Sequence, residues 1–184
     1  KSIEIAQASF FGVGGVSFRK KVEKGQYVDT LAFGAYKREV FDQLGGYDEE
    51  LVRNQDDEFN FRIIQNDMKI WLDPSIKSTY TQRNSFMGLF KQYFQYGFYK
   101  VRVMQKRRGI ASWRHVVPGL FVLGLLTSLS IYFIYGNNIP ILSLCLLYLS
   151  FSLFATIFEL IKTPFILLSV MMLPVTFFIL HVSY

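Results

Sequence analysis

From Val116 to Phe158 the chain carries no charged residue, and only Glu159 and Lys162 interrupt the apolar run that continues to Tyr184. A helix needs about 20 apolar residues to cross the hydrocarbon core of a bilayer. Residues 116–135, 139–161 and 164–184 each supply such a stretch, with Gly136-Asn137-Asn138 and Lys162-Thr163-Pro164 as the breaks between them. A single run of this kind could be the core helix of a soluble protein. Three in succession argue for a membrane region with three transmembrane helices. The basic residues Arg102, Lys106, Arg107, Arg108 and Arg114 crowd just before the first span, and the first connecting loop is uncharged. The positive-inside rule then places residues 1–115 on the cytoplasmic side of a cell (inner) membrane in a multi-pass topology, with Tyr184 on the far side. Lys162 at the returning turn agrees with that orientation.

Of the 20 Lys and Arg residues 19 precede residue 116, as do 13 of the 14 acidic ones, so the net charge of +6 belongs to the first part of the chain. Its crowding before the membrane suits anionic lipid headgroups. No zinc-finger or RNA-recognition motif accompanies it, which argues against nucleic acid as a partner. Cys145 is the single cysteine, so neither a disulfide framework nor a zinc-ligand spacing is present. The chain opens on Lys1 without a signal-peptide pattern, which reads as an internal piece of a longer protein.

The polar part centres on Arg53-Asn54-Gln55-Asp56-Asp57-Glu58-Phe59-Asn60-Phe61-Arg62. Asn54 is placed to cap a helix, with Asp57 three residues on in the manner of a capping box. Phe59 and Ile63 share its core-facing side at i, i+4 spacing. Acidic residues in a first turn complement the helix dipole and need no other role. Three in a row also repel one another, which favours protonation and makes at least one a candidate proton acceptor. Local chemistry leaves both readings open.

Around that helix the pattern is mixed α and β. Residues 2–8 fit a short helix, and Phe11-Gly12-Val13-Gly14-Gly15 reads as a flexible glycine-rich turn in preference to a phosphate loop. Residues 27–33 and 69–72 read as strands, the latter stopped by Asp73-Pro74, and 75–81 alternates like a further strand. Residues 37–44 fit a helix closed by Gly45. Ser85 is placed to cap a longer helix whose apolar positions are Phe86, Leu89, Phe90, Tyr93, Phe94, Gly97, Val101 and Met104. Lys91, Gln92, Gln95, Arg102 and Lys106 then fall on its other faces. An aromatic and basic helix just ahead of a span suits the bilayer interface, and its first half equally suits a core helix.

The ordered segments Val28-Asp29-Thr30, Gly34-Ala35-Tyr36-Lys37-Arg38-Glu39-Val40-Phe41, Gly45-Gly46-Tyr47-Asp48 and Gln55-Asp56-Asp57-Glu58-Phe59-Asn60-Phe61-Arg62 resemble family 2 glycosyltransferases of the GT-A fold. Asp73-Pro74, Arg83, Gln92-Tyr93-Phe94-Gln95-Tyr96-Gly97, Val117-Pro118 and His181-Val182-Ser183-Tyr184 continue the resemblance into the membrane-bound, exopolysaccharide-assembling branch. The resemblance implies an α/β class: a partial GT-A (nucleotide-diphospho-sugar transferase) domain, its C-terminal half, over residues 1–115. That half includes an interfacial helix at about 85–108, and residues 116–184 form the membrane region.

It also implies an inverting transfer of sugar from a nucleotide-sugar donor to a hydroxyl of a glycan or lipid-linked acceptor. Gln55-Asp56 matches the family's "ED" pair, with Gln in place of Glu, so Asp56 is the implied general base, and Asp57 and Glu58 are backups. Gln92-x-x-Gln95-Tyr96 falls where processive relatives carry Q-x-x-R-W, with Gln for Arg and Tyr for Trp. Gln92, Gln95 and Tyr96, with Asp29 and Arg38 in the matched segments, are the implied substrate-binding residues, and Tyr96 could offer a stacking face to a sugar. Arg62 is read as bracing its own helix, and His181 as an interfacial residue. A divalent cation (Mg or Mn) would sit on an upstream D-x-D motif that these residues do not contain. The alternatives are a processive polysaccharide synthase, or a non-enzymatic membrane scaffold or transporter subunit on the same fold.

Overall fold

The computed structural model describes residues 1–19, 22–110, 112–162 and 171–184. Their elements, in order, are α1 (Ser2–Ala8), α2 (Phe10–Val13), β1 (Gln26–Val28), α3 (Arg38–Leu44), α4 (Gln55–Gln65), β2 (Ile70–Leu72), α5 (Phe86–Arg107), α6 (Val117–Tyr135), α7 (Ile139–Lys162) and α8 (Leu173–Ser183). The described chain is thus mostly helical with one small sheet.

That sheet is antiparallel, with Gln26 opposite Leu72, Tyr27 opposite Trp71 and Val28 opposite Ile70. It is shorter than the sequence pattern predicts. β1 stops at Val28, and Phe33 turns the chain with a φ of 57°. Residues 75–81 form no strand. The Asp73 carboxylate accepts from the Ser75 amide (2.9 Å) and hydroxyl (2.7 Å), turning the chain off the sheet just where alternation begins. An alternating segment without a neighbour to pair with has no ladder to join.

The glycine-rich segment also differs from expectation. Ser9 caps a helical turn by accepting from the Gly12 amide (2.9 Å), and Gly14 ends that turn at a φ of 71°. A Cβ on Gly12 would stand 1.9 Å from the Ala6 carbonyl oxygen, so the glycine serves close packing of α2 on α1.

Two apolar clusters organise the molecule. Phe59, Ile63 and Ile70 form one, beneath Val28, Val40 and Leu44. Phe59 sits among three rings, stacked on Phe41 (4.9 Å, 16°) and met edge-on by Tyr36 (4.9 Å). The other joins Ile3 and Ala6 of α1 to Leu89 and Tyr93 of α5 and to Leu173, Phe177 and Leu180 of α8. The predicted single apolar stripe of α5 therefore resolves into two faces. Leu89, Gln92, Tyr93, Gly97, Lys100 and Val103 point inward, while Met87, Phe90, Phe94, Phe98 and Val101 are exposed. Gln92, expected off the apolar stripe, is buried within the inward face.

Helices α6 and α7 hold 19 and 24 residues, about 28 and 36 Å of rise, and both are long and apolar enough to cross a membrane. Most of their leucines and phenylalanines face outward, as a lipid solvent favours, while Phe121 stacks on Tyr148 between the two helices. Gly136 ends α6 in the left-handed region, and the Asn137 side chain accepts from the Ile139 amide (3.0 Å) to start α7. The third predicted span falls partly on residues 163–170, which lie outside the described residues. Its described part, α8, has 11 residues, about 16 Å, and is buried against α1 and α5. Tyr184, expected on the far side from residues 1–115, instead packs on α5 within that stretch: a Cβ on Gly97 would lie 1.7 Å from the Tyr184 carbonyl oxygen.

Candidate active site

Helix α4 begins at Asn54, held at a φ of 63°. The expected capping box does not form. The Asn54 side chain makes no cap bond, and its Nδ2 donates to the Tyr96 carbonyl instead (3.0 Å), tying the start of α4 to α5.

The three successive carboxylates have three different fates. Glu58 is fully buried and receives Arg62 through two bonds, from Nε (2.8 Å) and Nη2 (3.0 Å), together with Arg107 Nε. Arg62 thus braces its own helix on a carboxylate, as expected, and it also donates to the carbonyls of Leu44 and Gly46 (2.7 Å for the latter) at the end of α3. Asp57 pairs with Lys100 Nζ of α5. Asp56 has no cationic partner among the described residues; its Oδ1 accepts the Asp57 amide (2.9 Å). Burial raises the Asp56 pKa above the usual carboxylate range, and the Asp57 charge adds to this, while the amide bond and Lys100 oppose it. Lys100 is 4% exposed, and burial holds its pKa below the ordinary lysine value against the pull of Asp57.

Tyr36 closes one side of the cluster. Its hydroxyl donates to Asn60 Oδ1 (2.9 Å), and burial, reinforced by the nearby Tyr47 and Asp56, raises its pKa. Asn60 in turn donates to the Leu31 carbonyl (2.8 Å) and Thr30 Oγ1 (3.1 Å), so the loop after β1 hangs on α4. Asp29 in that loop pairs with Arg114 (2.8 Å).

One turn before Tyr96 on α5, Gln92 donates to the hydroxyls of Tyr80 (2.8 Å) and Tyr96 (2.9 Å), and its own Oε1 is buried without a partner. An open groove of about 550 Å³ between residues 1–4 and 80–86 reaches this network at Tyr80. Of the predicted site residues, Asp56, Asp57, Gln92, Tyr96 and Asp29 are therefore linked through α5 and its contacts. Gln95 is exposed. Arg38 forms an exposed pair with Asp42 (3.0 Å), and no described contact joins it to the cluster.

Curated proteins are similar to the chain in sequence. The chain is 30% identical over 118 residues to the succinoglycan biosynthesis protein ExoA of Rhizobium meliloti (strain 1021), covering 64% of this chain and 36% of that protein. Over that stretch the chain is similar in sequence to ExoA. A second relative is the dolichyl N-acetyl-alpha-D-glucosaminyl phosphate 3-beta-D-2,3-diacetamido-2,3-dideoxy-beta-D-glucuronosyltransferase of Methanococcus voltae. It is 30% identical over 111 residues, 60% of this chain and 34% of that protein. The chain spans about a third of the length of these relatives. No protein-family model matches it, and no solved structure does.

Several residues of this cluster carry no mark of their own in the sequence pattern. Lys100 lies four residues beyond Tyr96 and eight beyond Gln92, a helical spacing that already placed all three on one face. The basic residues read as facing headgroups are partly spoken for: Lys106 pairs with Asp48 (2.6 Å), Arg107 with Glu58 and Arg114 with Asp29. His181, read as interfacial, is bonded on both ring nitrogens, to the Tyr148 hydroxyl (2.8 Å) and the Phe11 carbonyl (2.8 Å). Among the described residues no group of three or more His, Cys, Asp or Glu side chains converges to hold a metal.

Proposed function

We propose that the protein to which this chain belongs is an inverting glycosyltransferase of cell-surface polysaccharide synthesis, with Asp56 as its general base. The observation that carries this is the sorting of the acidic triplet: Asp57 and Glu58 are bound by cations, and Asp56 alone is left to accept a proton. An acceptor hydroxyl held within hydrogen-bond reach attacks the anomeric carbon of the nucleotide sugar. The bond from that carbon to the diphosphate breaks, the proton passes to Asp56, and the nucleoside diphosphate leaves. Raised by burial, Asp56 is a stronger base than an exposed aspartate. Tyr96 and Gln92 on α5 are the proposed sugar contacts, with Asp29, paired with Arg114, holding the loop after β1. A Mg or Mn ion, bound when present by a D-x-D motif outside this chain, would supply charge stabilisation for the departing diphosphate.

The acceptor is proposed to be lipid-linked. The Methanococcus voltae relative is named for a dolichyl-linked substrate. Here the exposed row Met87, Phe90, Phe94, Phe98 and Val101 runs along α5 toward the span α6, with Arg102 over the Phe98 ring (5.3 Å). Such a face suits the headgroup boundary. Residues 1–115, the partial GT-A domain, lie on the cytoplasmic side of a multi-pass inner-membrane protein in this reading.

In the full-length enzyme Asp56→Asn lowers sugar transfer by at least about 100-fold, with expression and membrane insertion unchanged. Near-normal turnover in that variant removes Asp56 as the base.

A further inference from the structure

Lys100 has no part in the reaction as just described, yet it is the one buried lysine among the described residues, with only 4% of its surface exposed. A lysine taken out of water is costly unless paired, and its partner is the carboxylate next to the proposed base. The two aspartates are coupled twice over. They are chain neighbours, and the Asp57 amide donates to Asp56 Oδ1. The Asp57 charge makes ionising Asp56 harder, and a cation on Asp57 offsets that. Lys100 reaches them from α5, on the face that also carries Gln92 and Tyr96, and Asn54 binds the Tyr96 carbonyl one turn away. Its place is fixed by the same contact that docks α4 on α5.

We propose that Lys100 is a positioning residue for the base: by holding Asp57 as a paired carboxylate it keeps Asp56 in its proton-accepting form. This rests on Asp56 being the base. The other ionisable groups around the pair come from every neighbouring element. Tyr36 faces Asp56 from the loop after β1. Asp29 and Arg114 act on Lys100 from that loop and from the segment before α6, and they already neutralise each other. His115 lies beside Lys100, and Tyr184 faces Asp57 from the end of α8. None of these is a cation free to replace Lys100, since Arg114 is committed to Asp29.

The test is a carboxyl titration of the full-length protein labelled with γ-¹³C aspartate in detergent, with the Asp56 signal assigned by its loss in Asp56→Asn. Lys100→Met moves the Asp56 midpoint up by about 1–3 pH units, whereas Lys100→Arg leaves it near the wild-type position. Asp57→Asn moves it down, and Asp57→Asn with Lys100→Met returns it toward wild type. The acid limb of the transfer rate shifts in the same directions. A midpoint that stays put in both Lys100→Met and Asp57→Asn, with rates lowered equally at every pH, overturns the proposal and leaves Lys100 a packing residue. Asp57→Asn is read separately, so a poorly folding Lys100→Met does not suspend the test. Transfer that survives Asp56→Asn while the midpoints move as stated refutes the base assignment and keeps the coupling. Transfer lost in Asp56→Asn with immobile midpoints does the reverse.

Discussion

Gly97 of α5 meets Tyr184 backbone to backbone: any Cβ at position 97 would fall 1.7 Å from the Tyr184 carbonyl oxygen and 2.7 Å from its carbon. The contact brings the end of α8 onto the inward face of α5, one turn from Lys100. Alanine gains about 1 kcal/mol of helix propensity over glycine, while overpacking costs about 1–3 kcal/mol and rises where the neighbour is main chain. The clash outweighs the propensity. Gly97→Ala lowers the thermal midpoint of the purified protein, and Gly97→Val lowers it further, both measurable by intrinsic fluorescence.

Asn60 is fully buried and bonds three partners, the Tyr36 hydroxyl, the Leu31 carbonyl and Thr30 Oγ1. Asn60→Ala removes all three bonds and leaves their half-buried partners less well satisfied. Each unsatisfied buried group costs about 1–3 kcal/mol, so a loss of roughly 3 kcal/mol is expected in a denaturant titration. Tyr36→Phe removes one of those bonds and costs about 1 kcal/mol.

Glu58 neutralises Arg62 and Arg107 from a site closed to solvent. Removing one member of a buried ion pair costs about 3–5 kcal/mol, and the partial exposure of Arg107 trims this toward the lower figure. Glu58→Gln therefore unfolds at markedly lower temperature. Its surviving activity keeps the wild-type pH profile, which separates this brace from the base.

Burial raises Asp56 above its unfolded value, so the folded chain holds that proton longer than the unfolded one. The associated stability is fully present below the unfolded pKa and is lost as pH rises through the folded pKa. Asp48 has the opposite sign. Lys106 lowers its pKa, so its contribution is present above the unfolded pKa and lost as pH falls through the folded one. Asp56→Asn therefore melts higher than wild type at pH 7, and the difference closes below about pH 4. Asp48→Asn melts lower at pH 7, and its deficit closes on the acid side. Thermal midpoints across pH 3–8 check both signs.

The proposed topology puts the loop Gly136-Asn137-Asn138 outside and residues 1–115 inside. Asn137→Cys in a Cys145→Ser background reacts with an impermeant maleimide added to intact cells. Lys24→Cys in the same background reacts only after lysis. The reverse pattern inverts the orientation.

Local signals were readable from the sequence and distant ones were not. Ser85 caps α5 and Gly45 closes α3 as expected, because each terminus is decided by atoms a few residues away. Strand extent was misjudged, because β1 exists only where β2, more than 40 residues on, supplies a partner. The alternation in residues 75–81 resembles a strand but meets no neighbour. At the site, Asp56 stood out through its place in a motif. The assignment of Lys100 to Asp57, Arg107 to Glu58 and Arg114 to Asp29 depends on how α4 and the juxtamembrane turn lie across α5. A run of basic residues before a span carries no mark of which members have turned inward.

The cluster that joins Ile3 and Ala6 to Leu89, Tyr93, Leu173 and Phe177 has a practical side. A fragment clipped ahead of Trp113 would leave α5 with a bare greasy flank in place of α8, and such a fragment would aggregate. The part of the chain ahead of α6 is not a detachable head on a mooring, because its fold is completed by α8, which comes back to it after α6 and α7.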